Sequence, residues 1–96
     1  MTSLGKPILI DFYADWCPPC KAQTPIIEEL ESKFGNRVTF RKVNVDKDRQ
    51  MATRYGVRSI PMLVIEVDGK IVKQFVGLTQ ADALETVLNE ALSSSK

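Results

Sequence analysis

The 96-residue sequence contains no histidine and only two cysteines, and these shortages exclude several kinds of site. Without histidine the chain cannot be a Cys–His protease or a Ser–His hydrolase, and it has no histidine-rich metal centre. Two cysteines alone cannot supply the four ligands of a structural zinc site. We therefore expect no bound metal.

Charge and hydropathy also exclude classes of partner. Thirteen basic and twelve acidic residues give a net charge of +1, which offers no attraction for nucleic acid or for an anionic membrane. No apolar run approaches the roughly 20 residues that cross a bilayer, and residues 1–7 lack the apolar segment of a signal peptide. We therefore predict a cytoplasmic protein with one domain over residues 1–96, frayed at 1–6 and 93–96.

The two cysteines, Cys17 and Cys20, stand three positions apart, shortly after the apolar run 8–13. That run is rich in β-favouring residues and a helical pattern follows it, so the pair lies at a strand–helix junction. The spacing can close a small disulfide, and two thiols that interconvert with a disulfide form a two-electron redox couple. In an intracellular chain this pattern indicates redox chemistry rather than a structural disulfide.

The hydrophobic pattern predicts secondary-structure elements in the order β-α-β-α-β-β-α. The predicted bounds are 8–13, 17–34, 38–45, 47–55, 62–67 and 70–76, with a last helix from residue 79. Thr79, with Asp82 three residues later, forms a variant capping box at the start of that helix. The first two strands are parallel if the helix between them makes a right-handed crossover.

This order, and the motifs within it, resemble the thioredoxin family. Residues 12–21 (Phe-Tyr-Ala-Asp-Trp-Cys-Pro-Pro-Cys-Lys) match the family's signature stretch. The other matching motifs follow in family order and spacing: Pro25, 43–46, 55–61, Asp68-Gly69 and Gly77. The resemblance implies an α/β, thioredoxin-like fold with a central mixed four-stranded sheet flanked by three helices.

The resemblance also implies a function. It indicates a thiol–disulfide oxidoreductase that reduces protein disulfides through the Cys17/Cys20 couple and a mixed-disulfide intermediate, with no bound cofactor. The implied partners are disulfide-containing client proteins and a thioredoxin reductase, and the implied state is a monomer without nucleic acid or membrane.

Three features depart from the family pattern. The chain has no room before residue 8 for the extra strand and helix of most thioredoxins, so the strand 38–45 should lie at an exposed sheet edge. Pro18 stands where glycine is usual between the cysteines, and Met62 where threonine usually follows the family's proline. Together, Pro18 and Pro19 should keep the active-site turn rigid.

Each cysteine has an expected role. Unpaired N–H groups and the helix dipole near residue 17 favour a thiolate, so the pKa of Cys17 should fall below the usual value of about 8.5. Cys17 is therefore the expected nucleophile, exposed because it lies nearer the loop, and Cys20 is the shielded resolving thiol. The alternative is that both are small buried hydrophobic residues without a redox role.

Asp11 is a charged residue in a strand that should be covered on both faces, where a carboxylate is costly unless it is paired, neutral or hydrated. The resemblance implies that Asp11 lies buried beneath the cysteines, with a raised pKa, and exchanges the proton of Cys20. The alternative is a carboxylate that reaches solvent from a strand end. Lys42 matches the family's lysine that faces this acid and would modulate it; alternatively, it only protects a sheet edge.

A client-binding groove is also implied by the resemblance. In the family the bond equivalent to Ile60–Pro61 is cis, and the backbone before the proline pairs with an extended client segment. Trp16 would either join this groove or simply pack in the core. The residues assigned to client binding are Trp16, Pro18, Pro19, Ile60, Pro61 and Gly77.

Other functions fit parts of the sequence. A glutaredoxin-like protein suits the short N-terminus, although glutaredoxins usually lack a residue like Trp16. A dedicated disulfide oxidase or isomerase would use the same thiol chemistry, but its usual export signal is missing. A redox-controlled interaction module would bind partners through the groove and use its thiols as a switch.

Overall fold

The computed structural model describes residues 5–94, without the side chain of Ser94. Its strands and helices follow the predicted order β-α-β-α-β-β-α. Their bounds are β1 Ile8–Tyr13, α1 Pro18–Phe34, β2 Thr39–Asn44, α2 Arg49–Arg54, β3 Met62–Val67, β4 Lys70–Val76 and α3 Ala81–Ser94. The predicted fraying falls mainly on 1–4, 95 and 96, which lie outside the described residues. No helix within 5–94 is long and apolar enough to span a bilayer.

The four strands form one mixed sheet in the order β2-β1-β3-β4. β1 and β2 are parallel, whereas β3 runs antiparallel to both β1 and β4. The predicted α/β class and mixed four-stranded sheet are therefore confirmed. β2 occupies an edge of the sheet, as expected, and its Arg41 and Lys42 are exposed to solvent.

Alternation along β1 sends its side chains to two different hydrophobic layers. Leu9 packs with residues of α1 and α3, whereas Ile10 packs with residues that include Met51 of α2. Asp11 is two residues from Leu9 and therefore lies on the face that α1 and α3 cover. That face is also the one that α1, the helix bearing Cys20, packs against.

The predicted start of the last helix is wrong. α3 begins at Ala81, not at Thr79, and Asp82 accepts a hydrogen bond from Ala83 N at 3.0 Å instead of closing a capping box. Thr79 is buried, and its backbone N–H donates to Gln23 Oε1 at 2.8 Å. Because a residue of α1 satisfies the Thr79 backbone, Thr79 belongs to the loop before α3.

Candidate active site

The cysteine pair lies where the loop after β1 enters α1. Cys17 is the N-cap of α1, and its Sγ accepts a hydrogen bond from Cys20 N at 3.2 Å. The two residues form a disulfide, with their Cα atoms 5.2 Å apart. Pro18 and Pro19 take the first two helical positions, where a missing N–H removes no intrahelical hydrogen bond. The turn therefore presents the sulfur of Cys17 to the N-terminus of a 17-residue helix.

Asp11 is 1% exposed, so the alternative of a solvent-reaching carboxylate is wrong. Within residues 5–94, neither of its carboxylate oxygens has a hydrogen-bond partner. Burial raises the pKa of Asp11 from 3.8 to about 6, and the positive charge of Lys42 opposes this rise. Asp11 is therefore a buried acid without a hydrogen-bond partner in the described part of the chain, and its pKa lies at about 6.

Lys42 is the register partner of Asp11 across the parallel β1–β2 pair. Its Nζ lies 4.7 Å from the centroid of the Tyr13 ring. Lys42 and Cys20 both line a surface depression of about 360 Å³ that opens beside the active-site turn. Lys42 is therefore an exposed charge on an edge strand, as the interpretation of an edge-protecting lysine predicts. Its positive charge also lowers the pKa of Asp11.

The loop before β3 packs against the disulfide. The Ile60–Pro61 peptide bond is cis, and Ile60 contacts the buried cluster of Ala14, Cys17 and Cys20. Pro61 O accepts a hydrogen bond from Gly77 N at 2.8 Å, which brings the loop after β4 alongside. Ile60, Pro61 and Gly77 are therefore brought together beside the cysteines.

Trp16 is 67% exposed, so the alternative of core packing is wrong. Its indole Nε1 donates to Asp46 Oδ2 at 2.8 Å, which holds the ring at the surface next to Cys17. Pro18 and Pro19 are exposed as well. The residues assigned to client binding thus belong to two groups, one flanking the cysteines in sequence and the other brought to them by the loops before β3 and after β4.

Comparison with known proteins agrees with this geometry. The thioredoxin family model matches residues 2–90. The chain belongs to the thioredoxin family. It is 40% identical over 85 residues to the thioredoxin of Bacillus subtilis, covering 88% of this chain and 82% of that protein. It is 45% identical over 86 residues to the thioredoxin of Borreliella burgdorferi, covering 88% of this chain and 73% of that protein.

A solved structure gives the same result at the level of the fold. A mutant thioredoxin from Halobacterium salinarum NRC-1 matches with a TM-score of 0.82 at 37% identity, covering 98% of this chain and 79% of that one. The protein is therefore a thiol–disulfide oxidoreductase, and thioredoxins reduce disulfides. Members of this family act on disulfide-containing proteins, are reduced in turn by a reductase, and need no cofactor beyond the redox-active disulfide.

One expectation for this thioredoxin site is wrong. Cys17 and Cys20 are each 3% exposed, so in the disulfide form the expected nucleophile is no more accessible than its partner. The reason is that both cysteines belong to one buried cluster with Ala14, and Ile60 is among the side chains that pack against this cluster. What distinguishes the two cysteines is their position in the helix, because the sulfur of Cys17 accepts the N–H of Cys20.

Sequence reasoning misses two residues of this thioredoxin. Asp46 accepts the hydrogen bond of the Trp16 indole, whereas the sequence marks it only as part of the 43–46 motif. Gln23 is fully buried and hydrogen-bonded to Thr79. A signal for Gln23 does exist, since it lies four residues before the buried Ile27 and thus on the apolar stripe of α1.

Proposed function

We propose that this thioredoxin reduces disulfides in client proteins with Cys17 as the attacking thiol and Cys20 as the resolving thiol. The observation that carries the proposal is the hydrogen bond from Cys20 N to Cys17 Sγ at the start of α1. A backbone N–H and the positive end of a helix dipole both stabilise negative charge on that sulfur. The thiolate form of Cys17 is therefore favoured over that of Cys20.

The reaction takes two displacement steps. The Cys17 thiolate attacks one sulfur of the client disulfide, a bond forms between Cys17 and the client, and the other client sulfur leaves as a thiolate. Cys20 then loses its proton and attacks the sulfur of Cys17. The mixed disulfide breaks, the second client sulfur leaves as a thiolate, and the Cys17–Cys20 disulfide remains; the two client thiolates take up protons from solvent.

Asp11 accepts the proton that Cys20 loses in the second step, and Lys42 tunes the acid. Two observations support this role: the pKa of Asp11 lies at about 6, and neither carboxylate oxygen is bonded to any residue in the described range. A base whose pKa lies near the working pH is suited to proton transfer. An Asp whose oxygens were already occupied would be a poorer acceptor.

Clients dock over the exposed and loop residues around the disulfide, namely Trp16, Pro18, Pro19, Ile60, Pro61 and Gly77. The backbone of Ile60 pairs with an extended client segment in this proposal, as in β-augmentation. A thioredoxin reductase returns the electrons, and the protein works in the cytoplasm as a monomer with one domain.

Brief alkylation of the reduced protein tests the assignment of roles. Iodoacetamide near neutral pH should label Cys17 before Cys20, because the thiolate is the reactive species. Peptide mapping that found Cys20 labelled first would reverse the two roles. Insulin reduction with dithiothreitol as electron donor measures turnover in the same preparation. A glutathione-coupled disulfide assay should give little activity, and substantial activity would favour the glutaredoxin-like alternative.

A further inference from the structure

We propose that Gln23 is a positioning residue that fixes the loop 77–79, and with it one wall of the client groove, relative to the cysteine pair. The inference rests on the proposed groove and adds a residue to it. Gln23 lies in α1, three residues after Cys20, and does not reach the surface. It acts on client binding through the loop that it holds.

The side-chain amide of Gln23 holds both backbone polar groups of one loop residue. Its Nε2 donates to Thr79 O at 2.9 Å, and its Oε1 accepts from Thr79 N at 2.8 Å. This pairing resembles the hydrogen bonds of a neighbouring strand, and it fixes which end of the amide faces which group. Two bonds to the same residue leave the loop little freedom to slide or rotate against α1.

The hydrogen bonds continue from Thr79 to the groove. The Thr79 hydroxyl donates to Gly77 O at 3.0 Å, and Gly77 N donates to Pro61 O at 2.8 Å. Pro61 follows Ile60, which packs on the cysteines. A continuous series of hydrogen bonds therefore runs from α1, one turn past Cys20, to the loop that contacts the disulfide.

The loop itself carries apolar surface next to the groove. Leu78 is 45% exposed and Val76 is 67% exposed, and these two residues flank Gly77. Gly77 has a φ of 90°, a backbone region that glycine adopts readily, so no side chain at this position restrains the loop. The position of Leu78 against a client consequently depends on what anchors Thr79.

A buried amide is a costly way to fill this space if packing were its only role. An apolar side chain of similar volume would fill the same position on the apolar stripe without desolvating polar groups. It could not hold the N–H and the C=O of Thr79, however, and these would remain buried without partners. The amide therefore contributes position, which an apolar side chain cannot supply.

The first test replaces the amide with a side chain of similar length that makes no such hydrogen bonds. Gln23→Met removes both hydrogen bonds to Thr79, and we expect the KM for insulin reduction to rise about fivefold, the factor that the net free energy of a single hydrogen bond gives, with kcat unchanged. The rate of the reduced protein with Ellman's reagent, a small disulfide that needs no groove, should also be unchanged. The exchange rate of the Thr79 amide proton should increase.

Ile27→Val is the matched control, because Ile27 lies one turn further along the same helix face and packs in the hydrophobic core. Its apolar side chain makes no hydrogen bond to the loop. The variant should lower stability and leave both the KM and Thr79 amide exchange unchanged. If Gln23→Met and Ile27→Val change the KM alike, or if kcat and the Ellman's reagent rate fall together with client binding, Gln23 has only a structural role.

Thr79→Val is a second variant that keeps the backbone bonds to Gln23 and removes only the hydroxyl that donates to Gly77 O. It should also raise the KM for insulin. The Gln23–Thr79 bonds and the Thr79–Gly77 bond act in series. The double variant Gln23→Met/Thr79→Val should therefore have a KM for insulin about equal to the higher of the two single-variant values. Independent, multiplied effects would contradict the series.

The outcomes separate the two proposals. If the parent protein fails to reduce insulin, the proposed function is wrong. If the parent reduces insulin and Gln23→Met exposes the Thr79 amide with no change in KM, the proposed function stands and the positioning role is wrong. A Thr79 amide that already exchanges freely in the parent likewise overturns the inference.

Discussion

Replacing Asp11 with asparagine should stabilise the protein and slow its turnover. Burial raises the pKa of Asp11 from 3.8 to about 6, so ionising this carboxyl in the folded protein is unfavourable. The difference corresponds to about 3 kcal/mol of folding free energy. Asparagine has nearly the same shape and carries no charge, so it removes this cost.

The direction of the pH dependence follows from the raised pKa. The folded protein binds the Asp11 proton more tightly than the unfolded chain does, so the stabilising contribution of that proton is complete below pH 3.8 and is lost as the pH rises through about 6. The advantage of Asp11→Asn should therefore be greatest above pH 6 and should disappear near pH 4. About 3 kcal/mol is its upper limit, because the new amide N–H also needs a partner.

Urea unfolding of the oxidised proteins at several pH values measures this effect. The matched control is Asp68→Asn, which makes the same change of charge at an exposed residue of the β3–β4 turn. We expect Asp11→Asn to gain between about 1 and 3 kcal/mol at neutral pH and Asp68→Asn to gain little. A gain of equal size at pH 4 and at neutral pH would refute the reasoning, since it could not come from ionisation.

The turnover of Asp11→Asn shows whether Asp11 transfers a proton or is only buried. Asparagine cannot accept the proton of Cys20, so release of the reduced client should slow at neutral pH while formation of the mixed disulfide continues at its usual rate. Stopped-flow mixing of the reduced protein with a disulfide client measures the two phases separately. A normal release rate in a variant that shows the expected stability gain would leave Asp11 buried but remove its role as proton acceptor.

Three further predictions concern the same site. Lys42→Met removes the charge that lowers the pKa of Asp11, so this pKa should rise above about 6, and the loss of stability that accompanies ionisation of Asp11 should extend to higher pH. An unchanged pH dependence of the unfolding free energy would mean that Lys42 only protects the sheet edge. Cys20→Ser should accumulate client proteins as mixed disulfides on non-reducing gels and Cys17→Ser should not, and the opposite pattern would exchange their roles. Trp16→Phe loses the hydrogen bond to Asp46 and should raise the KM for insulin about as much as Asp46→Ala does, since alanine has no acceptor for the indole N–H; an effect of Trp16→Phe alone would mean that the indole itself, not its fixed position, contacts the client.

Local sequence patterns predict most of the fold. The bounds of β1, β3 and β4 agree with the prediction, because alternating side chains and the Asp68-Gly69 turn define strands over short distances. β2 and α2 are one or two residues shorter at each end than predicted. Helix and strand ends depend on single hydrogen bonds, which the hydrophobic pattern does not specify.

The errors arise from contacts between distant parts of the chain. The start of α3 is misplaced because Thr79 is held by Gln23, 56 residues earlier. The exposure of Cys17 is overestimated because Ile60, from the loop before β3, packs against the disulfide. The capping pattern at Thr79 and the position of Cys17 near a loop are local features of the sequence. Neither feature predicts a contact with a residue far away in the chain.

The buried polar residues of this protein differ in whether their polar atoms have hydrogen-bond partners. Gln23 and Thr79 satisfy each other, and buried Glu66 accepts a hydrogen bond from the Tyr55 hydroxyl. Asp11 is buried to a similar degree, yet within residues 5–94 its oxygens have no such partner. A polar residue on an apolar pattern can be recognised from sequence, but only the structure shows whether it is satisfied. Because an unsatisfied buried carboxylate destabilises the fold, it is a candidate functional group, and this supports the proposed role of Asp11 in proton transfer.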